Sequence, residues 1–142
     1  MGANLTGVTG HRVRIVWMGK HVETLDDLFP DRVRAVCVGI NPAPVSVAAG
    51  HYFQGALGQR FFARLRDAGV IGETARGAED DAAVVAGIGF TDVVKRPTAR
   101  AAEMAHAVRL LRATLERVQP PVLIFPFKQA AVRLVGPFAG NG

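Results

Sequence analysis

Three short apolar runs punctuate the chain, at residues 33–40, 87–94 and 122–125. Each is too short and too evenly apolar for an amphipathic helix, and each has the character of a strand covered on both faces in a parallel sheet. The first, Ala35-Val36-Cys37-Val38-Gly39-Ile40, empties into Asn41-Pro42-Ala43-Pro44. Its two prolines are expected to keep a helix from starting at once. A loop of small residues follows and ends in the aromatic pair Tyr52-Phe53.

Between the runs the period turns helical. Gly58-Gln59-Arg60 opens a helix with Phe61, Phe62, Leu65 and Ala68 on its core face, Arg60, Arg64 and Arg66 mostly on the other, and Gly69 as its stop. Residues 78–86 are alanine-rich, and Glu79-Asp80-Asp81 fall in the first turn, where acids complement the helix dipole; they read as helix-start residues rather than metal ligands. A long helix is predicted over 99–117, capped by Thr98, with Met104, Val108, Leu111, Leu115 and Val118 toward the sheet. Gln119-Pro120-Pro121 stops it, and a last short helix after the third run reaches Leu134 before Gly136-Pro137. Ahead of the first run, residues 13–18 suit an edge strand closed by Gly19, and Thr24-Leu25-Asp26-Asp27-Leu28 suits one helical turn with a threonine cap.

The order strand, helix, helix, strand, helix, strand, helix predicts an α/β fold: a three-layer α/β/α domain with a mainly parallel central sheet. Residues 1–32 are expected to form an amino-terminal arm and short edge elements, and residues 33–142 the α/β domain. Nothing in the chain follows the last helix, so the sheet is expected to lack its C-terminal strand.

Composition narrows the function classes. The chain has 142 residues, enough for one core, with 49% hydrophobic and 20% charged residues, a globular balance. No apolar run approaches the roughly 18 residues of a membrane span, and the first residues lack the pattern of a secretory signal, so a cytoplasmic location is expected. Cys37 is the only cysteine, which excludes an internal disulfide and a thiolate cluster and suits a buried core thiol. His11, His21, His51 and His106 are scattered without HxxxH or HExxH spacing, so no metal site is expected. A net charge of +5 favours a polyanionic partner, although the signal is weak on its own.

The chemistry is set by what is missing and by what the strand ends carry. No GxGxxG or Walker loop is present, and no GxSxG elbow, which argues against nucleotide cofactors and a hydrolase triad. Ser46 is either a turn stabiliser or a substrate contact. Three strand ends should open on one edge of the sheet: Gly39-Ile40-Asn41-Pro42, Val94-Lys95-Arg96-Pro97-Thr98 and Phe125-Pro126-Phe127-Lys128-Gln129. They bring together an amide that can fix a water, aromatics on which a base can stack, and basic groups for phosphates. That combination suits a flipped nucleobase better than a small metabolite. A non-catalytic nucleic-acid module, or an enzyme acting on a free nucleoside, is also compatible with it.

These residues resemble the uracil-DNA glycosylase superfamily, and within it the mismatch-specific uracil and thymine DNA glycosylases. The carriers are Gly39-Ile40-Asn41-Pro42, Gly50-His51-Tyr52-Phe53 with Arg60-Phe61-Phe62, Asp92-Val93-Val94-Lys95-Arg96-Pro97-Thr98, and residues 121–125 with Lys128-Gln129-Ala130, together spanning about residues 33–134. The resemblance implies hydrolysis of the N-glycosidic bond of uracil, or of thymine opposite guanine, in double-stranded DNA by a monomer needing no metal or cofactor. It makes Asn41 the catalytic residue that positions water and Phe53 the platform for the flipped base. Gly39, Ile40, Pro42, Ser46 and Tyr52 then belong to the base pocket, and Lys95, Arg96, Thr98, Lys128 and Gln129 to the DNA surface. Two departures stand out. The family has proline-glycine after the asparagine, where this chain has Pro42-Ala43-Pro44. The family's second motif, on a later strand and a loop that enters the DNA, is not found before Gly142, so the expectation is a pocket half without its wedge. The alternative is a binding module of the same fold that has lost turnover.

Overall fold

A computed structural model describes residues 10–73, 76–97 and 101–136, and residues 1–9 of the expected arm lie outside it. The central sheet consists of β3 (Ala35–Gly39), β4 (Ile88–Asp92) and β5 (Leu123–Ile124), in the order β4-β3-β5 and all parallel. Every residue of β3 and β4 is buried, as a strand covered on both faces requires. Alternation along β3 splits the core. Ala35 and Cys37 face one cluster with Phe62, Phe90 and Ala83, whereas Val36 and Val38 face the other with Ala107, Leu111, Ala130 and Leu134. The two clusters are the seams of a three-layer α/β/α domain.

Five helices are described: α1 (Pro44–Ala49), α2 (Ala56–Asp67), α3 (Glu79–Val85), α4 (Ala101–Val118) and α5 (Lys128–Val135). α2 and α3 cover one face of the sheet, and α4 and α5 the other. The stripe Met104, Val108, Leu111 and Leu115 packs on the sheet as its spacing predicts, and Gly69 takes the left-handed φ of 75° just beyond α2. Among the described residues, no helix is long and apolar enough to cross a membrane.

Three expectations are corrected. The small-residue segment after Asn41 is not an open loop: α1 begins at Pro44, because proline at the first helical position surrenders an N–H that has no partner there anyway. Thr24 and Leu25 do not start a helical turn. They end β2 (Lys20–Leu25), which pairs antiparallel with β1 (Arg12–Trp17) in register Arg12↔Leu25 through Trp17↔Lys20. Met18 and Gly19, with φ of 50° and 82°, make the two-residue turn that suits strand twist. This hairpin forms its own sheet, and its Ile15, Trp17 and Val22 pack into the α4/α5 seam. Finally, Arg66 is not on the solvent face of α2. Its guanidinium meets the fully buried Glu79 carboxylate at 2.7 Å, and that carboxylate also accepts from Gln54 and the Gly77 N–H. Burial opposes ionisation of Glu79, but these hydrogen bonds and the Arg66 charge prevail and hold its pKa below the ordinary value.

Candidate active site

A cleft of about 790 Å³ opens at the carboxyl edge of the parallel sheet, where ligands of open α/β sheets bind. Ile40, Asn41, Pro42 and Ser46 line it after β3, Tyr52, Phe53 and Phe61 from the segment that follows, and Pro126, Phe127, Lys128 and Gln129 after β5. The strand ends of β3 and β5 therefore converge on one cavity. From β4 the cleft receives Asp92.

Asn41 leaves β3 in a half-buried position. Its Nδ2 donates to the Pro97 carbonyl in a short hydrogen bond and approaches the Arg96 carbonyl at 3.5 Å. Both partners are carbonyls, which only accept, so the amide nitrogen must face them and Oδ1 must turn the other way. The loop after β4 thus sets the orientation of the Asn41 amide at the cleft.

Phe53 sits at φ 58°, a left-handed backbone rare for an aromatic residue, and is nearly buried. Its ring contacts Phe127 edge-on at 5.4 Å and Phe61 edge-on at 6.0 Å, and it also meets Tyr52, Phe62 and Phe90. Two glycines make room for it. A Cβ on Gly58 would fall onto the Phe53 carbonyl, and one on Gly39 would lie 3.0 Å from Phe53 Cε1 and on top of the Asp92 carboxylate. Tyr52 is fully buried, with its hydroxyl donating to the Asp26 carbonyl at 2.8 Å. Ser46, buried within α1, accepts the Gln54 N–H at 2.9 Å, so it braces the loop from a position on the cleft wall. Its hydroxyl hydrogen is not used by that contact.

The sequence reading missed Asp92 as a site residue. Its side chain is buried, and Oδ1 has no hydrogen-bond partner among the described residues. Burial is the main cause that lifts its pKa from 3.8 to about 7; Lys95 pulls it down and Asp27 adds to the rise. A carboxyl of this kind accepts a hydrogen bond when ionised and can also donate one when neutral. The available signal was the polar end of an otherwise apolar strand, Ile88–Asp92.

The basic residues divide. Lys95 Nζ contacts Asp27 Oδ1 at 2.8 Å, Thr91 Oγ1 at 3.0 Å and the Asp92 carbonyl at 2.7 Å, so it braces the base of the site. Arg96 Nε reaches Glu103 Oε2 at 3.4 Å, and Glu103 also accepts from the Trp17 indole at 3.0 Å. Lys128 and Gln129, exposed at the start of α5, line the cleft, as do the exposed Arg60 and Arg64 of α2, which were read only as a solvent face. Thr98 lies outside the described residues. Cys37 is fully buried between layers, and burial raises its thiol pKa far out of the reactive range, as a core thiol requires.

The fold and the site define an α/β protein whose cleft, at the carboxyl edge of a parallel sheet, is lined by Phe53, Phe61 and Phe127, by the oriented Asn41 amide and by Arg60 and Arg64. The family model described as the uracil DNA glycosylase superfamily matches residues 27–137, most of the chain, and the protein belongs to that superfamily. Its members are DNA glycosylases, hydrolases of base excision repair, and uracil-glycosylase-type activity is what membership points to. No curated protein gives a significant match to the chain.

Proposed function

We propose that the protein is a monofunctional DNA glycosylase of the mismatch-specific type, which hydrolyses the N-glycosidic bond of uracil, or of thymine opposite guanine, in double-stranded DNA. The observation that carries this reading is Asn41, whose Nδ2 is committed to the Pro97 and Arg96 carbonyls at the rim of an aromatic cleft. Its Oδ1 accepts a hydrogen bond from a water and aims that water at C1′ of the extruded nucleotide. The C1′–N1 bond breaks, its electron pair leaves on the pyrimidine, and the water oxygen bonds to C1′ and loses its proton to solvent. An amide is too weak a base to take that proton, so the rate must come from stabilising the departing anion. Ser46 is placed to contribute with its hydroxyl hydrogen, and Asp92 to meet the polar edge of the base. Phe53 and Phe127 offer ring surface worth roughly 1–3 kcal/mol per stacked base. Arg60, Arg64, Lys128 and Gln129 fit the flanking phosphates.

The test is incubation of the protein with an end-labelled duplex holding one G·U pair, followed by alkali. Strand scission at the uracil is expected, and a weaker cut at G·T. Duplex binding without any scission would instead favour the non-catalytic module of the same fold.

A further inference from the structure

His11 and His51 stand far apart in sequence, yet their rings meet edge-on with centroids 5.5 Å apart. Asp80 and Asp81, in the first turn of α3, complete a group of four residues whose ligating atoms all lie within 4.8 Å of one another. His11 Nε2 is 2.5 Å from Asp81 Oδ1, His51 Nδ1 is 2.8 Å from Asp80 Oδ1, and His51 Nδ1 is 3.9 Å from Asp81 Oδ2. A tetrahedral ion with bonds of about 2.0–2.1 Å holds its donors roughly 3.3 Å apart, inside that spread. With neutral imidazoles the cluster carries two carboxylates side by side, one of them fully buried, and a dication balances that charge.

The supporting contacts are also in place. Asp80 Oδ2 accepts the Tyr52 N–H at 2.8 Å and Oδ1 accepts the Asp81 N–H at 2.9 Å, which orients the carboxylate. The His11 N–H donates to the Gly50 carbonyl at 2.8 Å. Gly10, at φ 60°, lets the turn press against the His51 ring: a Cβ there would lie 2.8 Å from His51 Nε2. Spacing could not reveal the group, because its donors come from the turn before β1, the loop after α1 and the start of α3.

We propose that His11, His51, Asp80 and Asp81 form a structural transition-metal site. The mixed imidazole and carboxylate donors suit Zn²⁺; Ca²⁺ and Mg²⁺ prefer all-oxygen shells of six or more ligands. Four protein donors fill a tetrahedron and leave no open position, so the ion's role is mechanical. It ties the amino-terminal hairpin and α3 to the segment that continues directly into Tyr52 and Phe53.

The test uses untagged, chelator-treated, full-length protein titrated with Co²⁺ and then Zn²⁺. One equivalent of Co²⁺ should bind with the intense visible absorption of tetrahedral coordination. Zn²⁺ should displace it and raise the melting temperature, whereas Mg²⁺ should do neither. His11→Gln and Asp81→Asn, at positions that are not buried, should each weaken Zn²⁺ binding at least tenfold with unchanged circular dichroism. Absence of saturable one-equivalent binding, a pale octahedral spectrum, or wild-type affinity in both variants would overturn the site. These readouts do not depend on glycosylase activity.

Discussion

Replacing Asp92 by asparagine isolates the energetic cost of the buried carboxyl in the cleft. The side chain keeps its shape, and the pH-dependent charge disappears. In the folded protein the Asp92 pKa rises from 3.8 to about 7, chiefly through burial. A carboxyl whose folded pKa is raised binds its proton more tightly when folded, so stability falls as pH climbs between the unfolded and folded values. Below about pH 3 both states are protonated and no cost arises; above about pH 8 both are ionised and the cost is constant. A shift of about 3 units, at 1.36 kcal/mol each, makes it about 4 kcal/mol. About 1 kcal/mol of that cost is already present at pH 4.5, so the asparagine variant should gain about 3 kcal/mol on wild type between pH 4.5 and pH 8. Taking the difference between the two proteins cancels the titrating groups that are not coupled to Asp92, which leaves Lys95 and Asp27 as the neighbours that contribute, and it also cancels any fixed cost of the amide. Trp17, the only tryptophan and 6% exposed, reports unfolding by its fluorescence in urea at each pH. Parallel stability-against-pH curves for the two proteins would refute the assignment of a buried, proton-retaining Asp92.

Other substitutions test separate parts of the structure. Glu79→Gln leaves the Arg66 guanidinium buried without its counter-charge and should cost about 3–5 kcal/mol in urea denaturation; a loss below 1 kcal/mol would mean that the pair is solvated. Because the Glu79 pKa is lowered, its contribution is present above the unfolded carboxylate pKa and is lost as pH falls, so the gap between wild type and variant should close in acid, the reverse of Asp92. Phe53→Leu keeps most of the core volume but removes the flat ring, and single-turnover excision should fall tenfold or more while the melting temperature moves only a few degrees. Unchanged excision would reassign Phe53 to packing alone.

What could be read from the sequence follows from how each element is stabilised. β3 and β4 are buried on both faces, so their apolar runs were visible without knowledge of their neighbours. The β1–β2 hairpin was hidden because Lys20–Leu25 alternates polar with apolar too irregularly, and only its pairing to β1 settles its state. α1 was hidden by Pro44, which blocks a helix interior but fits its first position. Asn41 was legible through the Gly39–Pro42 motif, yet its orientation depends on carbonyls of a loop distant in sequence. The contacts of Asp92 against Gly39, Arg66 against Glu79, and His11 beside His51 are long-range, and no local pattern encodes them.

The central claim is that Asn41 holds the attacking water. Its most direct test is single-turnover excision on a G·U duplex by Asn41→Ala beside wild type, with duplex affinity measured at matched salt. Asn41→Ala should lose at least a hundredfold in excision rate, since one oriented polar group in such a site is worth about 10²–10³ in rate, with duplex affinity within about twofold of wild type. Excision by the variant at the wild-type rate would contradict the claim.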